Sequence, residues 1–166
     1  MKKSICIRHS RTVLGAAALF VSAGGSVYAT NSASQNVDID VTAVNEIALG
    51  GAAVTLSVSS AAAGVNPTGV IGSTYSITTN STTSKKITAQ LGGALPAGLT
   101  LSANLAAPST GVSSGAVALS TTPADVVTSI EAVTASGLSI SYAATATVAV
   151  APGSNIAAVT YTLVDS

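Results

Sequence analysis

The feature that most constrains this chain is a two-residue rhythm. In "GLSISYAATATVAV", Leu138, Ile140, Tyr142, Ala144, Ala146, Val148 and Val150 alternate with serine, threonine and alanine. Successive side chains of an extended chain point to opposite faces, so a run of this kind buries one face and wets the other. The rhythm recurs in "IGSTYSITT" through Tyr75 and Ile77, and in "KKITAQL" through Ile87, Ala89 and Leu91. It recurs again in "LTLSANL" through Leu99, Leu101, Ala103 and Leu105, and in "NIAAVTYTLV" through Ala157, Val159, Tyr161 and Leu163. "AVTLSV", with Val54, Leu56 and Val58, and the short "AVALS" read as two further strands.

Between these runs the chain is punctuated by turn residues. Gly50–Gly51, "SSAAAGVNPTG", "GGALPAG", "APSTGVSSG" and "PG" all break the pattern, and "NSTTS" joins two strands as a hairpin. One stretch, "TTPADVVTSIEAV", admits two readings. Thr122 can cap a helical turn with Pro123 at its first position, and Val126, Ile130 and Val133 have helical spacing. A strand through Val126–Ile130 is the favoured alternative. Eight or nine short strands at turn spacings of about 8–12 residues specify an all-β antiparallel sandwich or barrel. Unequal strand lengths and long loops without a repeated motif favour the sandwich. No solenoid repeat is visible, and threonine does not recur at the constant interval that an ice-binding array needs.

Met1–Ala29 stands outside this pattern. It has a basic start (Lys2, Lys3, Arg8, Arg11), an apolar run "VLGAAALFVSA" and the small-residue ending "SVYA", which together read as a secretory signal peptide cleaved after Ala29. The apolar run is too short to span a bilayer, and nothing later approaches the roughly 20 apolar residues that a spanning helix needs. Export to the cell surface or beyond is therefore expected, with no integral membrane span.

Cleavage would leave 137 residues, enough for one ordinary domain, and would remove the single cysteine and the single histidine, Cys6 and His9. It would also leave only Lys85 and Lys86 against six carboxylates, a net charge of −4. No basic patch remains for nucleic acid. Polarity comes instead from serine, threonine and asparagine. With Tyr75, Tyr142 and Tyr161 as the only aromatic residues left, the core must be built from valine, alanine, isoleucine and leucine.

The first stretch after the signal, "NVDIDVTAVNEIAL", spans Asn36–Leu49. Val37, Ile39, Val41, Ala43, Ile47 and Leu49 share one side of a two-residue period, with Asp38, Asp40, Thr42 and Glu46 mostly on the other. Fourteen extended residues cover roughly 45 Å, whereas an ordinary strand has about five or six residues. A strand too long for its own sheet is explained if part of it serves a neighbouring molecule.

The run "NVDIDVTAV" followed by "IAL", the later "TTNSTTSKKITAQL", the "ALSTTPADVV" segment and the closing "VTYTL" resemble the major pilins of alpha-type (class-5) chaperone–usher fimbriae. The likeness covers most of the chain after residue 29 and consists of loose alternation rather than fixed signature residues. It implies an immunoglobulin-like sandwich that lacks one strand and is completed by the N-terminal extension of the next subunit, a form of β-strand addition. On this sequence it implies an extension over residues 30–47 and a sandwich over 48–166. Val37, Ile39, Val41 and Ala43 would be the inserted side chains, while Ile47 and Leu49 would begin the subunit's own first strand. Val159, Tyr161 and Leu163 would line the acceptor groove. A periplasmic chaperone would hold that same edge before assembly, with the Ser166 carboxylate as its anchor, and an outer-membrane usher would export the subunits into a filament of identical copies that supports adhesion. The alternative is a self-contained secreted sandwich of the cell surface or matrix, whose opening strand folds back into its own sheet.

Other chemistries fare less well. Asp38 and Asp40 share a strand face and could contribute to a Ca²⁺ site with Glu46, but no loop has the dense acidic spacing of a dedicated site, and solubilisation accounts for them. Ser84–Lys85 could suggest a catalytic dyad, but that chemistry needs a buried lysine and an oxyanion site, and this pair sits at the mouth of a turn. "NST" at Asn80–Thr82 matches a glycosylation sequon and equally an ordinary hairpin turn. Tyr142 and Tyr161 fall on apolar faces, which suits core packing better than a carbohydrate platform. The sequence gives no reason to expect an enzyme, a cofactor or a metal.

Overall fold

A computed structural model describes residues 32–59 and 62–166. The expected signal peptide lies outside the described residues. The described residues fall into two units, 32–39 and 40–166. Residues 32–39 of the first unit carry no strand, and every strand of the described residues belongs to the second.

The second unit is all-β, with no helix among the described residues. Its strands are β1 (Asn45–Leu49), β2 (Thr68–Thr79), β3 (Lys85–Leu91), β4 (Leu99–Leu105), β5 (Val112–Ser113), β6 (Ala116–Ala118), β7 (Ala124–Ile130), β8 (Val133–Ala146) and β9 (Val159–Asp165). They form two antiparallel sheets stacked in a sandwich-like pair. The first has the order β1-β2-β8-β4-β6 and the second β5-β7-β3-β9. Inward-facing aliphatic residues from both sheets make the core. Ile77 and Ile140, with the Tyr75 ring, face Ile87, Ala89, Val126, Val127 and Ile130, and Ala103 and Leu105 add the β4 side. The scarcity of aromatic residues means that branched aliphatics fill the space between the sheets, which suits their β propensity.

The expected runs at 85–91 and 99–105 form strands with the expected limits, and the ambiguous stretch is a strand, β7. Four expectations need correction. The last run, expected from Asn155 with Ala157 on its inner face, is a strand only from Val159. "AVTLSV" at 53–58 is not a strand. The long run from Gly137 ends as a strand at Ala146, although it begins earlier, at Val133, and Val148 is exposed. The opening stretch 36–49 pairs as a strand only over its last five residues. In each case alternation is present without a partner strand, and a backbone that finds no partner for its N–H and C=O groups is not a strand, whatever its side chains suggest.

Two irregularities shape the sheets. Opposite Ser76 on β2, the β8 strand carries an extra residue, and Gly137 there has φ +66°, a conformation that costs glycine little. On β7 the register with β3 slips twice, and Ser129 has φ +57° between the paired residues Val127 and Ile130.

Candidate functional site

The two sides of the sandwich are closed differently. On one side the chain passes from β4 to β5 to β6 to β7, changing sheet at each step over only a few residues. The Ser113 hydroxyl donates to the Leu105 carbonyl at 2.6 Å, and the Ser114 amide donates to the Val126 carbonyl at 3.0 Å, so this side is laced shut. On the other side stand the edge strands β1 and β9, which approach each other across the two sheets. β9 is paired to β3, from Lys85↔Asp165 to Leu91↔Val159, and no other strand among the described residues pairs with its second edge. An unpaired strand edge is a template for further pairing.

The inward side chains of β9 are Val159, Tyr161 and Leu163, the three residues expected to line an acceptor groove. Each packs against the core cluster and each is only half-buried. Tyr161 crosses the interior and its hydroxyl donates to that of Tyr142 on β8 at 3.0 Å. Burial, reinforced by this bond and by the Tyr142 side chain, drives the Tyr161 pKa far above the ordinary tyrosine value, so the phenol is neutral at any physiological pH.

Beyond the start of β9 the first sheet runs on with no opposing strand among the described residues. Ile71 and Tyr142 on one rung, Ala144 and Leu101 on the next, and Leu99 beyond them face a trough of about 1660 Å³. Its far wall consists of the loops 51–59, 62–67 and 147–158, and it reaches Leu49 at the end of β1 and Val159 at the start of β9. The volume exceeds the roughly 300–1,000 Å³ of a small-molecule pocket. Part of it is covered by the chain's own segment 51–59. Leu56 packs against the core, and the Ser57 carbonyl comes so near β2 that a Cβ on Gly69 would lie 2.2 Å from its oxygen. Sequence reasoning missed this extension of the site. The sign was available in the leucines Leu99 and Leu101, which carry the apolar face of β4 on beyond the buried Ala103 and Leu105.

The four residues expected to be donated lie apart from this groove in sequence and carry no strand structure. Val37, Ile39 and Val41 are 72%, 81% and 76% exposed, high values for aliphatic side chains, and Ala43 is exposed as well. β1 begins at Asn45, inside the stretch 30–47 assigned to the extension. Just before it, the Asn80 side chain bridges the main chain: the Val44 amide donates to Oδ1 at 2.8 Å, and Nδ2 donates to the Thr42 carbonyl at 2.8 Å.

Ser166 continues the pairing of β9. Its amide donates to the Ser84 carbonyl at 3.1 Å and its hydroxyl lies 3.2 Å from that of Ser84. Lys85 forms an ion pair with Asp165, and Lys86 pairs with Asp125 at 3.2 Å. Lys85 is thus committed to a carboxylate, and the Ser84 hydroxyl to Ser166. Among the described residues no three of histidine, cysteine, aspartate and glutamate gather as a metal site requires, and no helix is long and apolar enough to cross a membrane. Comparison with protein-family models, with curated proteins and with solved structures finds no match.

Proposed function

We propose that this chain is a structural subunit of an extracellular surface filament, an immunoglobulin-like pilin that polymerises by giving its N-terminal strand to the next copy. The observation that carries this reading is a complementary pair of defects. The edge strand β9 presents half-buried Val159, Tyr161 and Leu163 beside an apolar trough, and the same chain carries Val37, Ile39 and Val41 exposed at two-residue spacing. A strand paired to the free edge of β9 would continue the second sheet and place alternate side chains over the first. Burying these three side chains is worth roughly 4–9 kcal/mol before ordering costs. That is comparable with the whole stability of a domain, about 5–15 kcal/mol, so the donor would decide whether the fold persists. Before assembly the open edge needs protection, which is the role of a periplasmic chaperone and of delivery through an outer-membrane usher. Adhesion would be a property of the assembled filament.

The test uses the exported chain. Wild type should form filaments, and Ile39→Asp should abolish them while leaving the thermal midpoint of the monomer unchanged, because the charge enters a groove only in the partner. A synthetic peptide of residues 36–46 should raise the monomer midpoint, by about 2.7 kcal/mol of added stability at a hundredfold excess over its Kd. A wild-type chain that stays monomeric and ignores the peptide removes the proposal. One observation favours a second reading, the self-contained secreted sandwich: Leu56 and Ser57 already lie over Gly69 and cover part of the trough in cis. Under that reading the peptide has no effect and the monomer is the final form.

A further inference from the structure

We propose that Asn80 is a positioning residue that anchors the root of the N-terminal extension, so that the donated segment ends at Val41 and Ala43 stays with its own subunit; this rests on the filament reading above. The β1–β2 register runs Asn45↔Thr79, which sets Val44 opposite Asn80, and the Asn80 amide donates to the Val44 carbonyl at 3.2 Å. There the main chain of β2 turns away into the hairpin. The Asn80 side chain takes over the next position of the ladder. Its carboxamide has the same donor and acceptor as a peptide group, and it spends both, accepting from the Val44 amide and donating to the Thr42 carbonyl. Asn80 itself is held in place from below. The buried Thr79 hydroxyl donates to the Asn45 side-chain oxygen at 2.8 Å and accepts from the Ser81 amide at 3.1 Å, fixing the turn that aims the carboxamide.

Ala43 lies between the two bridged residues. Its backbone is held at both flanks by one side chain, so it cannot move into a neighbouring groove without breaking two hydrogen bonds. Val41 is the first apolar residue upstream of this clamp. The inserted side chains are then Val37, Ile39 and Val41, and no slack remains between the inserted strand and the subunit that gives it. A tether without slack makes a stiff joint, whereas freed residues behave as a flexible linker. The clamp therefore sets both the limit of the donor and the rigidity of the filament.

The decisive comparison is between two aspartate substitutions in the exported chain, made in a host that does not glycosylate asparagine. Ala43→Asp should assemble within about twofold of wild type, while Val41→Asp should lose assembly, because only the second charge enters the groove. Loss of assembly in both overturns the assignment. Asn80→Ala should release the Val44 amide to exchange about fivefold faster, the worth of one ordinary hydrogen bond. It should also shorten the persistence length of the filaments about twofold or more, with the uptake of peptide 36–46 into its own groove unchanged. Equal stiffness of Asn80→Ala and wild-type filaments overturns the clamp while leaving the filament reading intact. Should Asn80→Ala not fold, inserting Gly-Ser-Gly between Val41 and Thr42 leaves the clamp in place and lengthens the joint. Filaments of that variant as stiff as wild type overturn the proposal equally. Absence of wild-type filaments removes the filament reading itself, and this inference with it.

Discussion

The two halves of the sandwich interior are built from the same kinds of residue but closed to different degrees. In one half, Ile77 and Ile140 from the first sheet meet Ile87, Val126, Val127 and Ile130 from the second, and all six are excluded from water. In the other half, Ile71, Leu99 and Leu101 face a trough walled by loops, and Val159 at the start of β9 is only half-buried. The difference does not lie in hydrophobicity, since leucine and isoleucine occur in both. It lies in the number of strands: the first sheet is long enough to need an opposing layer along its full length, and the second supplies one only part of the way. A core that ends where its partner sheet ends is one that another strand can complete.

Truncations on either side offer the sharpest way to break this comparison. Ile87→Ala in the closed half leaves a cavity with neighbours that cannot collapse, and should cost about 2–5 kcal/mol, a fall in the thermal midpoint on the order of 10 °C. Leu101→Ala in the open half removes side-chain volume beside space that already exists, and should cost under about 1 kcal/mol in the monomer. Thermal or urea unfolding of both variants as monomers decides the matter. Equal costs would mean that the trough is as tightly filled as the core and that no strand is missing.

The closed half was also the part most legible in the sequence. Ile87, Ala89 and Leu91 alternate with polar residues and become β3 with its inward face buried. β7 was harder for a physical reason. Its two register slips against β3 put the adjacent Val126 and Val127 both into the core and set Ile130 three residues later. Two bulges in seven residues turn a period of two into something that imitates a helix, which is why Val126, Ile130 and Val133 fit either reading. The open half was misread in the opposite direction. Val54, Leu56 and Val58 keep the strand rhythm, yet no strand forms there, because periodicity records which side chains seek burial and not whether a backbone partner exists. Val159, Tyr161 and Leu163 could be named from alternation. The trough beyond them, and the Asn80 bridge to Thr42 and Val44, depend on tertiary placement that no local pattern encodes.

The tyrosines test the closed half by another route. The Tyr75 ring is buried and its hydroxyl donates to the Ala106 carbonyl at 2.6 Å. Burial pushes its pKa up to about 12 from the ordinary 10.0, and burial drives Tyr161 higher still. A raised phenol pKa means that the folded state keeps the proton the unfolded chain gives up. Below the ordinary value both states hold it, so this contribution to stability is complete and flat with pH. As pH rises from the ordinary value through the folded one, only the unfolded chain ionises, and stability is lost. Tyr75→Phe should cost about 1 kcal/mol at neutral pH, the worth of its hydrogen bond. It should also flatten the decline measured by urea unfolding between pH 10 and 12. An unchanged alkaline slope would show that the Tyr75 hydroxyl reaches water, and that the closed half is less closed than its packing indicates.

The smallest effect is expected at the far end of β9, where Lys85 pairs with Asp165. Asp165 is 78% exposed, so water and salt screen the attraction, and exposed pairs of this kind are worth about 0–1 kcal/mol. The β3–β9 ladder, by contrast, runs through seven matched residues with Val159, Tyr161 and Leu163 packed on its inner side. Lys85→Met should therefore lower stability by less than about 1 kcal/mol, with most of that loss vanishing in high salt. Lys86→Met, which removes the pair with Asp125 between β3 and β7, serves as the internal reference, because β7 is held on both flanks by β5 and β3. If Lys85→Met costs several times more than Lys86→Met, β9 hangs on its terminal charge rather than on its ladder. An edge strand secured so weakly would be a poor template for a donated one.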